Sequence, residues 1–339
     1  MSKVFFLLIA ILILSPSLNA ITWELFKERY LQKDGRVIDR ENEAITHSEA
    51  IGYTLFFAVA MNDETTYLSV EHWLENNLPR NSEGLYPWKW GKSNTHEWKI
   101  LDSNNATDGD LWIAYARIKA SKVFKHPDQL EKAITHLEAI KRHLILSSGD
   151  RLLLLPGKYG FVHDNTFLLN PSYYIPFIFD TFARVDDAIL WKRMITESKL
   201  ILAQRFGQLQ LHPDWIAFKD NKFFLDTKKP YFSYDALRIP LFWSLWDRLH
   251  PNATIQQQLN GYKTLASFPF APVWIDLEHN SMSLQSDTSG AMENSLKFFG
   301  IIYKVSCITE KKGMDEKNST YFGDSMAMFA LLGSDAECE

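Results

Sequence analysis

One glutamate stands directly ahead of a segment that is apolar on almost every side. Glu49 precedes residues 51–61, which read IGYTLFFAVAM. A segment without a polar face is typical of a helix that is buried all round rather than along one stripe. A carboxylate at the N-terminal end of such a helix needs either a partner or a function, because burying an unpaired charge is energetically costly. Glu49 is therefore the leading candidate for a catalytic acid.

The same arrangement returns along the chain. Polar residues precede or open later apolar segments: Asp108, Asp110, Asn170, Asp235 and Arg238. If the helices that follow run parallel in one inner ring, the side chains at their starts meet at one end of it. Two carboxylates, one protonated and one ionised, are the minimum machinery of glycoside hydrolysis. The pattern thus predicts a carboxylate-rich cleft that could cleave a sugar linkage.

A purely structural interpretation exists for most of these residues. Asp is a common N-cap, so each aspartate taken singly could do no more than begin its helix. Glu is a poor N-cap, which sets Glu49 apart from Asp108. Arg238 follows Asp235 by three residues, the spacing of an ordinary ion pair on a helix.

Other chemistries lack their sequence signatures. His47 has no second His or Cys at ligand spacing, so a metal site is not expected. The chain contains neither a G-x-S-x-G nucleophile elbow nor a glycine-rich phosphate loop. We therefore expect no metal and no cofactor.

Composition and charge narrow the class of partner. The net charge is −5, and no block of like charges is long enough to form a tail, so nucleic acid and anionic membranes are poor partners. Aromatic residues make up 14% of the chain, with 11 Trp. Most are core material, but a surplus near polar loops also suits flat, neutral sugar rings.

The first 20 residues predict a secretory signal peptide. Lys3 supplies a positive start, residues 4–14 the apolar run, and residues 18–20 (LNA) a passable cleavage site. The apolar run is too short to span a bilayer. We expect a periplasmic or secreted protein with no membrane contact after cleavage. In such a compartment Cys307 and Cys338 either pair or remain as thiols, and the sequence leaves both open.

Helical segments dominate the rest of the chain. Nearly all-apolar helices alternate with amphipathic ones, for example residues 62–79 after 51–61, which predicts an all-α double layer. The same pattern predicts an inner helix over residues 173–182, an outer helix over 254–266 and a further helix start at 289–291. Six inner and six outer helices fit the length. Short β-hairpins are expected in loops, with residues 151–155 pairing with 160–162, and a second hairpin within 215–224. No linker divides the chain, so residues 21–339 are predicted to form a single domain.

Several motifs together resemble glycoside hydrolase family 8. Residues 106–116 (ATDGDLWIAYA) are similar to the family signature, an A-[ST]-D-[AG]-D run that leads into a helix of small and apolar residues. Further segments match in order and spacing: 34–39 (DGRVID), 46–53 (THSEAIGY), 87–91 (PWKWG), 155–158 (LPGK), 170–174 (NPSYY) and 233–238 (SYDALR). The similarity weakens after about residue 261. It is strongest to the periplasmic endoglucanases that accompany bacterial cellulose synthases.

The resemblance implies an (α/α)6 barrel and an inverting endo-β-1,4-glucanase that acts on cellulose-type β-glucan. It implies the general acid for Glu49, the general base for Asp235 and substrate positioning for Asp108. It also implies the following substrate-binding residues: Trp88, Tyr173 and Arg238. Residue type alone adds weaker candidates: Trp90, Tyr174 and Tyr321. The cellulose synthase machinery is a further partner that the resemblance suggests.

One departure from the family pattern bears on the acid. Ala50 follows Glu49 where the family usually has Gly, which is harmless at negative φ but costs about 1 kcal/mol at positive φ. Burial and the charge of Asp108 are expected to raise the pKa of Glu49 against the effect of the helix dipole. Two alternatives stay open: a glucan-binding protein that no longer cleaves, and an enzyme of the same fold that acts on chitosan, xylan or mixed-linkage glucan.

Overall fold

The computed structural model describes residues 21–288 and 320–333. The predicted signal peptide, both cysteines and the predicted helix start at residues 289–291 lie outside these ranges. Every helix within the two ranges is too short or too polar to cross a lipid bilayer.

The described residues contain eleven α-helices and twelve short strands. The helices are α1 (Trp23–Tyr30), α2 (Ser48–Ala60), α3 (Glu64–Asn77), α4 (Thr107–Val123), α5 (Pro127–Leu144), α6 (Pro176–Phe182), α7 (Ala188–Leu202), α8 (Arg238–Leu249), α9 (Ala253–Gln258), α10 (Asn260–Ala266) and α11 (Tyr321–Gly333). The strands are β1 (Thr46–His47), β2 (Pro87–Lys92), β3 (Trp98–Asn105), β4 (Ile145–Ser148), β5 (Arg151–Leu154), β6 (Val162–His163), β7 (Thr166–Leu169), β8 (Ile216–Lys219), β9 (Lys222–Leu225), β10 (Tyr231–Phe232), β11 (Ile275–Asp276) and β12 (Ser281–Met282).

The helices form the predicted two layers. α2, α4, α6, α8 and α11 are buried on nearly all sides and lie inside, while the helices between them pack outside. α5 shows the outer type, because its buried residues Ala133, Leu137, Ile140 and Leu144 follow one stripe. Buried apolar side chains of both layers form one continuous cluster.

Two glycines let the first two inner helices approach closely. A Cβ on Gly52 of α2 would lie 2.6 Å from the Cβ of Trp112 in α4. A Cβ on Gly109 of α4 would lie 2.2 Å from the Oγ of Ser48 in α2. Neither glycine has a positive φ, so space and not backbone conformation requires them. The start of α4 is thereby held against the start of α2.

Short sheets cover the loops. β1, β2 and β3 form one antiparallel sheet, β4 and β5 a hairpin, β6 to β9 a four-stranded sheet and β10 to β12 a third small sheet. The hairpin predicted within residues 215–224 is confirmed as β8 and β9. β5 pairs with β4 and not with residues 160–162, because Gly149, with a φ of +59°, closes a two-residue turn between Ser148 and Arg151.

Two helices differ from the sequence-based prediction. The helix expected from Tyr173 begins only at Pro176, preceded by a 3-10 turn at Pro171–Tyr173, since proline restricts the residue before it to extended backbone. The outer helix expected over residues 254–266 is broken into α9 and α10. The break lies next to Gly261, where a Cβ would meet the carbonyl oxygen of Leu209 at 2.1 Å.

The contact between α2 and α4 predicts a specific loss of stability. Gly52→Ala should lower the free energy of unfolding by about 1–3 kcal/mol, because the added methyl group forces the helices apart. Chemical denaturation followed by circular dichroism measures it. Ala60→Ser adds one heavy atom at an exposed position of the same helix and should change stability by less than about 0.5 kcal/mol. Equal effects of the two substitutions would contradict the close packing.

Candidate active site

One arginine binds three carboxylates. Arg238 is the first residue of α8 and is only 2% exposed. Its Nη1 donates to Oε1 of Glu49 and to Oδ2 of Asp108, the latter at 3.1 Å, and its Nη2 donates to Oδ1 of Asp235. Its Nε donates to the backbone oxygen of Asp235 at 3.2 Å. Residues from α2, α4 and the turn before α8 therefore meet at one guanidinium.

Glu49 lies in the first turn of α2. His47 is the N-cap of this helix, and its Nδ1 accepts a hydrogen bond from the backbone nitrogen of Ala50 at 3.2 Å. The hydroxyl of Tyr53, one turn further on, donates to Oε1 of Glu49 at 2.6 Å. The capped helix end thus fixes the backbone of the acid, and Tyr53 and Arg238 fix its side chain.

Asp108 lies in the first turn of α4 and is 4% exposed. Its Oδ1 accepts from the backbone nitrogen of Gly109 at 2.8 Å, while its Oδ2 faces Arg238. The close approach of Gly109 to Ser48 brings this carboxylate next to Glu49.

Asp235 lies in a turn that a second aspartate organises. The Oδ1 of Asp214 accepts from the backbone nitrogens of Ser233 at 2.9 Å and of Ala236 at 2.8 Å. Its Oδ2 accepts from the hydroxyl of Ser233. The side chain of Asp235 remains one-third exposed, at 33%, on the cleft side of Arg238. A base that must reach a water molecule needs such access.

These groups face a cleft with a volume of about 280 Å³. Carboxylates and polar groups form its floor, and aromatic rings form part of its wall. The lining residues are Asp39, Asn42, His47, Ser48, Glu49, Trp88, Ala106, Asp108, Tyr173, Asp235, Arg238 and Phe322. Tyr173 and Phe322 both lie next to the arginine, whose guanidinium carbon is 5.4 Å and 5.9 Å from their ring centroids.

Burial and crowding of negative charge raise the pKa values of two acids. Burial and the charge of Glu49 raise the pKa of Asp108 to about 7, against the opposing effect of Arg238. Burial likewise raises the pKa of Asp235 to about 6; Arg238 opposes this, and Asp214 and Glu49 add to it. The cluster therefore binds a proton near neutral pH.

His47 adds a fourth titrating group at the cleft. Its Nε2 lies 3.5 Å from Oδ2 of Asp39, and its Nδ1 lies 3.8 Å from Oε2 of Glu49. Burial lowers the pKa of His47, but the hydrogen bond to Asp39 and the charge of Glu49 outweigh it, so the pKa is raised overall. No group of three or more His, Cys, Asp or Glu in residues 21–288 and 320–333 is arranged to hold a metal ion.

Comparison with known proteins decides the family. A family model described as glycosyl hydrolases family 8 matches residues 1–336. The chain belongs to this family. It is 33% identical over 276 residues to a probable endoglucanase of Novacetimonas hansenii, which covers 79% of this chain and 79% of the relative.

Solved structures share the fold of this family 8 chain. The endoglucanase Cel10 of Klebsiella pneumoniae superposes with a TM-score of 0.81 at 28% identity, over 92% of this chain and 97% of that one. The endo-β-1,4-glucanase CMCax of Acetobacter xylinum also gives 0.81, at 26% identity over 92% and 96%. The predicted (α/α)6 barrel and the predicted glycoside hydrolase class are confirmed.

The structure brings most of the predicted site residues of the family 8 chain together. Glu49, Asp108, Asp235 and Arg238 are in contact through the arginine, and Trp88 and Tyr173 line the cleft. Asp110, also at the start of α4, points elsewhere: it accepts from the backbone nitrogen of Tyr86 and from Asn105, and it contacts His136. It holds the loop before β2 and lies outside the cleft.

The three weaker aromatic candidates are wrong as cleft residues. Tyr174 is 1% exposed, and its hydroxyl accepts from the backbone nitrogen of Leu154. Tyr321 is fully buried under α2 and donates to the carbonyl of Ala50 at 3.1 Å. Trp90 packs edge-on against Trp73 outside the cleft. Residue type did not distinguish these rings from the ones that line the site.

Sequence reasoning missed three contributors. Phe322, one residue beyond Tyr321, lines the cleft in its place, because successive helix positions point about 100° apart. Asp214 holds the turn of Asp235, and nothing in its sequence neighbourhood marks it. Asp39 lies within the segment 34–39 that carries part of the family resemblance, which was an available signal.

The backbone at Ala50 settles the question about the residue after the acid. Ala50 lies inside α2 and is not among the residues with positive φ, so alanine is not strained there. Ala50→Gly should lower the free energy of unfolding by about 0.5–1 kcal/mol, through greater freedom of the unfolded chain. Thermal and chemical denaturation measure this. A gain in stability on Ala50→Gly would contradict the helical conformation at this position.

Proposed function

We propose that this chain is an inverting endo-β-1,4-glucanase that hydrolyses cellulose-type β-glucan. The observation that carries the proposal is the cluster of Glu49, Asp108 and Asp235 on one buried arginine, within a cleft that has aromatic walls. The endo-β-1,4-glucanase name of the Acetobacter xylinum structure, 26% identical over 92% of this chain, supports the choice of linkage.

In the proposed reaction Glu49 gives a proton to the glycosidic oxygen as the bond from that oxygen to the anomeric carbon breaks. Asp235 takes a proton from a water molecule, whose oxygen attacks the anomeric carbon from the opposite side. Inverting enzymes keep these two carboxyl groups about 6.5–9.5 Å apart to leave room for the water. Glu49 and Asp235 contact different nitrogens of Arg238, which supports an arrangement on two sides of the bound sugar.

Glu49 must hold a proton when the reaction begins. Asp108, whose pKa is raised to about 7, supplies a proton-binding group in the same cluster. In its ionised form Asp108 accepts hydrogen bonds from the sugar hydroxyls at the cleavage point.

The remaining cleft residues position the glucan. Trp88 offers an indole ring on β2, and Tyr173 and Phe322 lie next to the arginine. Burial and the neighbouring acids raise the pKa of Tyr173 well above its usual range, so its hydroxyl stays protonated and can donate. The signal-like first 20 residues and the resemblance to enzymes that accompany cellulose synthases favour a periplasmic or secreted enzyme that trims nascent cellulose.

Two alternative functions predict different experimental results. A glucan-binding protein without activity would bind cello-oligosaccharides and leave them intact, yet all three acids are retained and Ala50 is unstrained. An enzyme for chitosan, xylan or mixed-linkage glucan would prefer those polymers over cellulose derivatives. A comparison of the four polymers as substrates separates these possibilities.

Loss of either reacting carboxyl group should abolish most activity. Glu49→Gln and Asp235→Asn should each lower the rate of reducing-end release from carboxymethylcellulose by about 10²- to 10⁴-fold, because each removes a proton-transfer group. Asp220→Asn, in the exposed turn between β8 and β9, is the matched control and should retain activity.

The stereochemistry of the product tests the mechanism separately. Proton NMR of cellopentaose hydrolysis should show the α-anomer first, before mutarotation. Full activity in either acid variant would remove the role assigned to that residue, and a β-anomer formed first would rule out inversion.

The pH dependence should report the base. Asp235 must be ionised, so kcat/KM should fall as the pH drops below about 6, its pKa in the structure. The charge of Arg238 holds this pKa down, and Arg238→Met should therefore move the acidic limb to higher pH by about one unit or more. Kinetics from about pH 4 to about pH 9 measure the limb.

Two further variants control this experiment. Arg238→Lys keeps a positive charge and should shift the acidic limb less than Arg238→Met. Arg184→Met removes an exposed arginine that pairs with Asp180 and should not shift it. An acidic limb at the same pH in the wild type and in Arg238→Met would show that Asp235 is not the group that titrates.

A further inference from the structure

A half-exposed tryptophan lies on the hairpin beside the cleft. Trp98 begins β3 and is 51% exposed. Its indole stacks on that of Trp90 in β2, with the ring centroids 5.1 Å apart and the planes 14° from parallel. Trp90 in turn packs edge-on against Trp73, at 5.1 Å, which anchors the stack to α3. The exposed ring is thus held in a fixed orientation.

Arg36 packs against both indole rings of the Trp90–Trp98 stack. The guanidinium carbon of Arg36 is 4.6 Å from the Trp90 ring centroid and 4.4 Å from that of Trp98. Because Arg36 is equally close to both rings, it lies beside Trp90 on one side of Trp98 and does not cover the opposite face. Arg36 is itself 5% exposed and donates from Nε to the hydroxyl of Thr46 at 3.0 Å. Trp90 and Arg36 therefore hold a single exposed indole, and Trp73 holds Trp90 in turn.

The stack is continuous with the active site. Trp88, which lines the cleft, lies two residues before Trp90 on the same strand, a separation of about 7 Å between Cα atoms at the usual strand rise. β2 pairs with β1, where Trp90 lies opposite Thr46 and Lys89 opposite His47, directly before the helix of Glu49. Trp98 lies opposite Lys92, four residues beyond Trp88 on β2, which is about 13 Å at the usual strand rise. A long glucan chain that leaves the cleft past Trp88 and follows β2 therefore leads towards Trp98.

We propose that Trp98, fixed by Trp90 and Arg36, is a glucan-binding platform outside the catalytic cleft. The inference rests on the proposed function and adds a site to it. The platform takes a pyranose ring of a long, neutral β-glucan chain, whose C–H face packs on the indole. A rigid, pre-oriented aromatic side chain gives contact area at low entropic cost, which suits such a ligand. Long chains benefit from the platform, and short oligosaccharides that fill only the cleft do not reach it.

The ratio of kcat/KM on a long substrate to that on a short one tests the platform. Hydroxyethylcellulose is the long, neutral probe and cellotetraose the short one. Trp98→Ala should lower this ratio about fivefold, and Trp98→Tyr should restore most of it, since it keeps an aromatic face. Phe224→Ala is the matched control: Phe224 is 40% exposed on β9 and should leave the ratio unchanged. A purely structural role for Trp98 would lower activity on both substrates equally.

Binding without turnover provides the second measurement. In native gels that contain hydroxyethylcellulose, wild type should be retarded and Trp98→Ala should migrate faster, with Phe224→Ala like wild type. If wild type cleaves both substrates and Trp98→Ala alters neither the ratio nor the mobility, the platform is refuted while the proposed function stands. If wild type is retarded but cleaves neither substrate, the proposed function fails and the mobility of Trp98→Ala decides the platform. If wild type neither cleaves nor binds, both fail.

Discussion

The contact of Arg238 with three carboxylates is the constraint on which the rest of the site depends. Arg238, Glu49 and Asp108 are largely withdrawn from water, and Asp235 is two-thirds withdrawn, which is unfavourable unless a partner of opposite sign lies at hydrogen-bond distance. Removing the arginine would leave the acids unpaired, a change that costs about 3–5 kcal/mol for a typical buried pair. α2, α4 and the turn before α8 must therefore converge to within the reach of one side chain. Burial raises the pKa values of Asp108 and Asp235, and the excess negative charge of three acids around one cation adds to this effect.

Helix ends and burial act on these acids in opposite directions. Glu49 and Asp108 lie in the first turns of α2 and α4, where the helix dipole favours an anion. For Asp108, burial and repulsion from Glu49 favour a bound proton. An acid that must give up a proton and a base that must accept one need environments that are balanced in this way, since a single dominant influence would fix both groups in one state. The close packing of Gly109 against Ser48 affects the balance between the helix dipole and the repulsion of the acids, because it determines how near Asp108 comes to Glu49.

The sequence predicts the inner helices, because a helix that is apolar on all sides must lie in the inner layer of a double layer. It thereby also predicts which residues stand at the starts of these helices. For the same reason Glu49, Asp108 and Arg238 could be placed together before the structure was known. Trp88 and Tyr173 could be predicted from the family resemblance. Tyr321 and Phe322 could not be told apart, because they differ only in helix phase, and one faces the core while the other faces the cleft. The role of Asp214 could not be predicted from the sequence, because this residue lies 21 positions before Asp235. It fixes the turn of Asp235 through hydrogen bonds from the backbone nitrogens of Ser233 and Ala236. The β2–β3 hairpin was not predicted either, since its register shifts interrupt the simple alternation of a strand.

That hairpin connects the proposed substrate contacts to Glu49, the proposed catalytic acid. β1 is only two residues long, and it ends at His47, the N-cap of α2. Its partner β2 carries Trp88 on the cleft wall and Trp90 under the exposed Trp98. A sugar that packs on this strand therefore acts on the segment that fixes the backbone of Glu49, with no flexible loop in between. In the proposed function, the inner helices position the reacting carboxyl groups, and the hairpin is the surface along which a long glucan is aligned with them. The backbone pairing of Thr46 with Trp90 is the physical link between the proposed platform and the segment before Glu49.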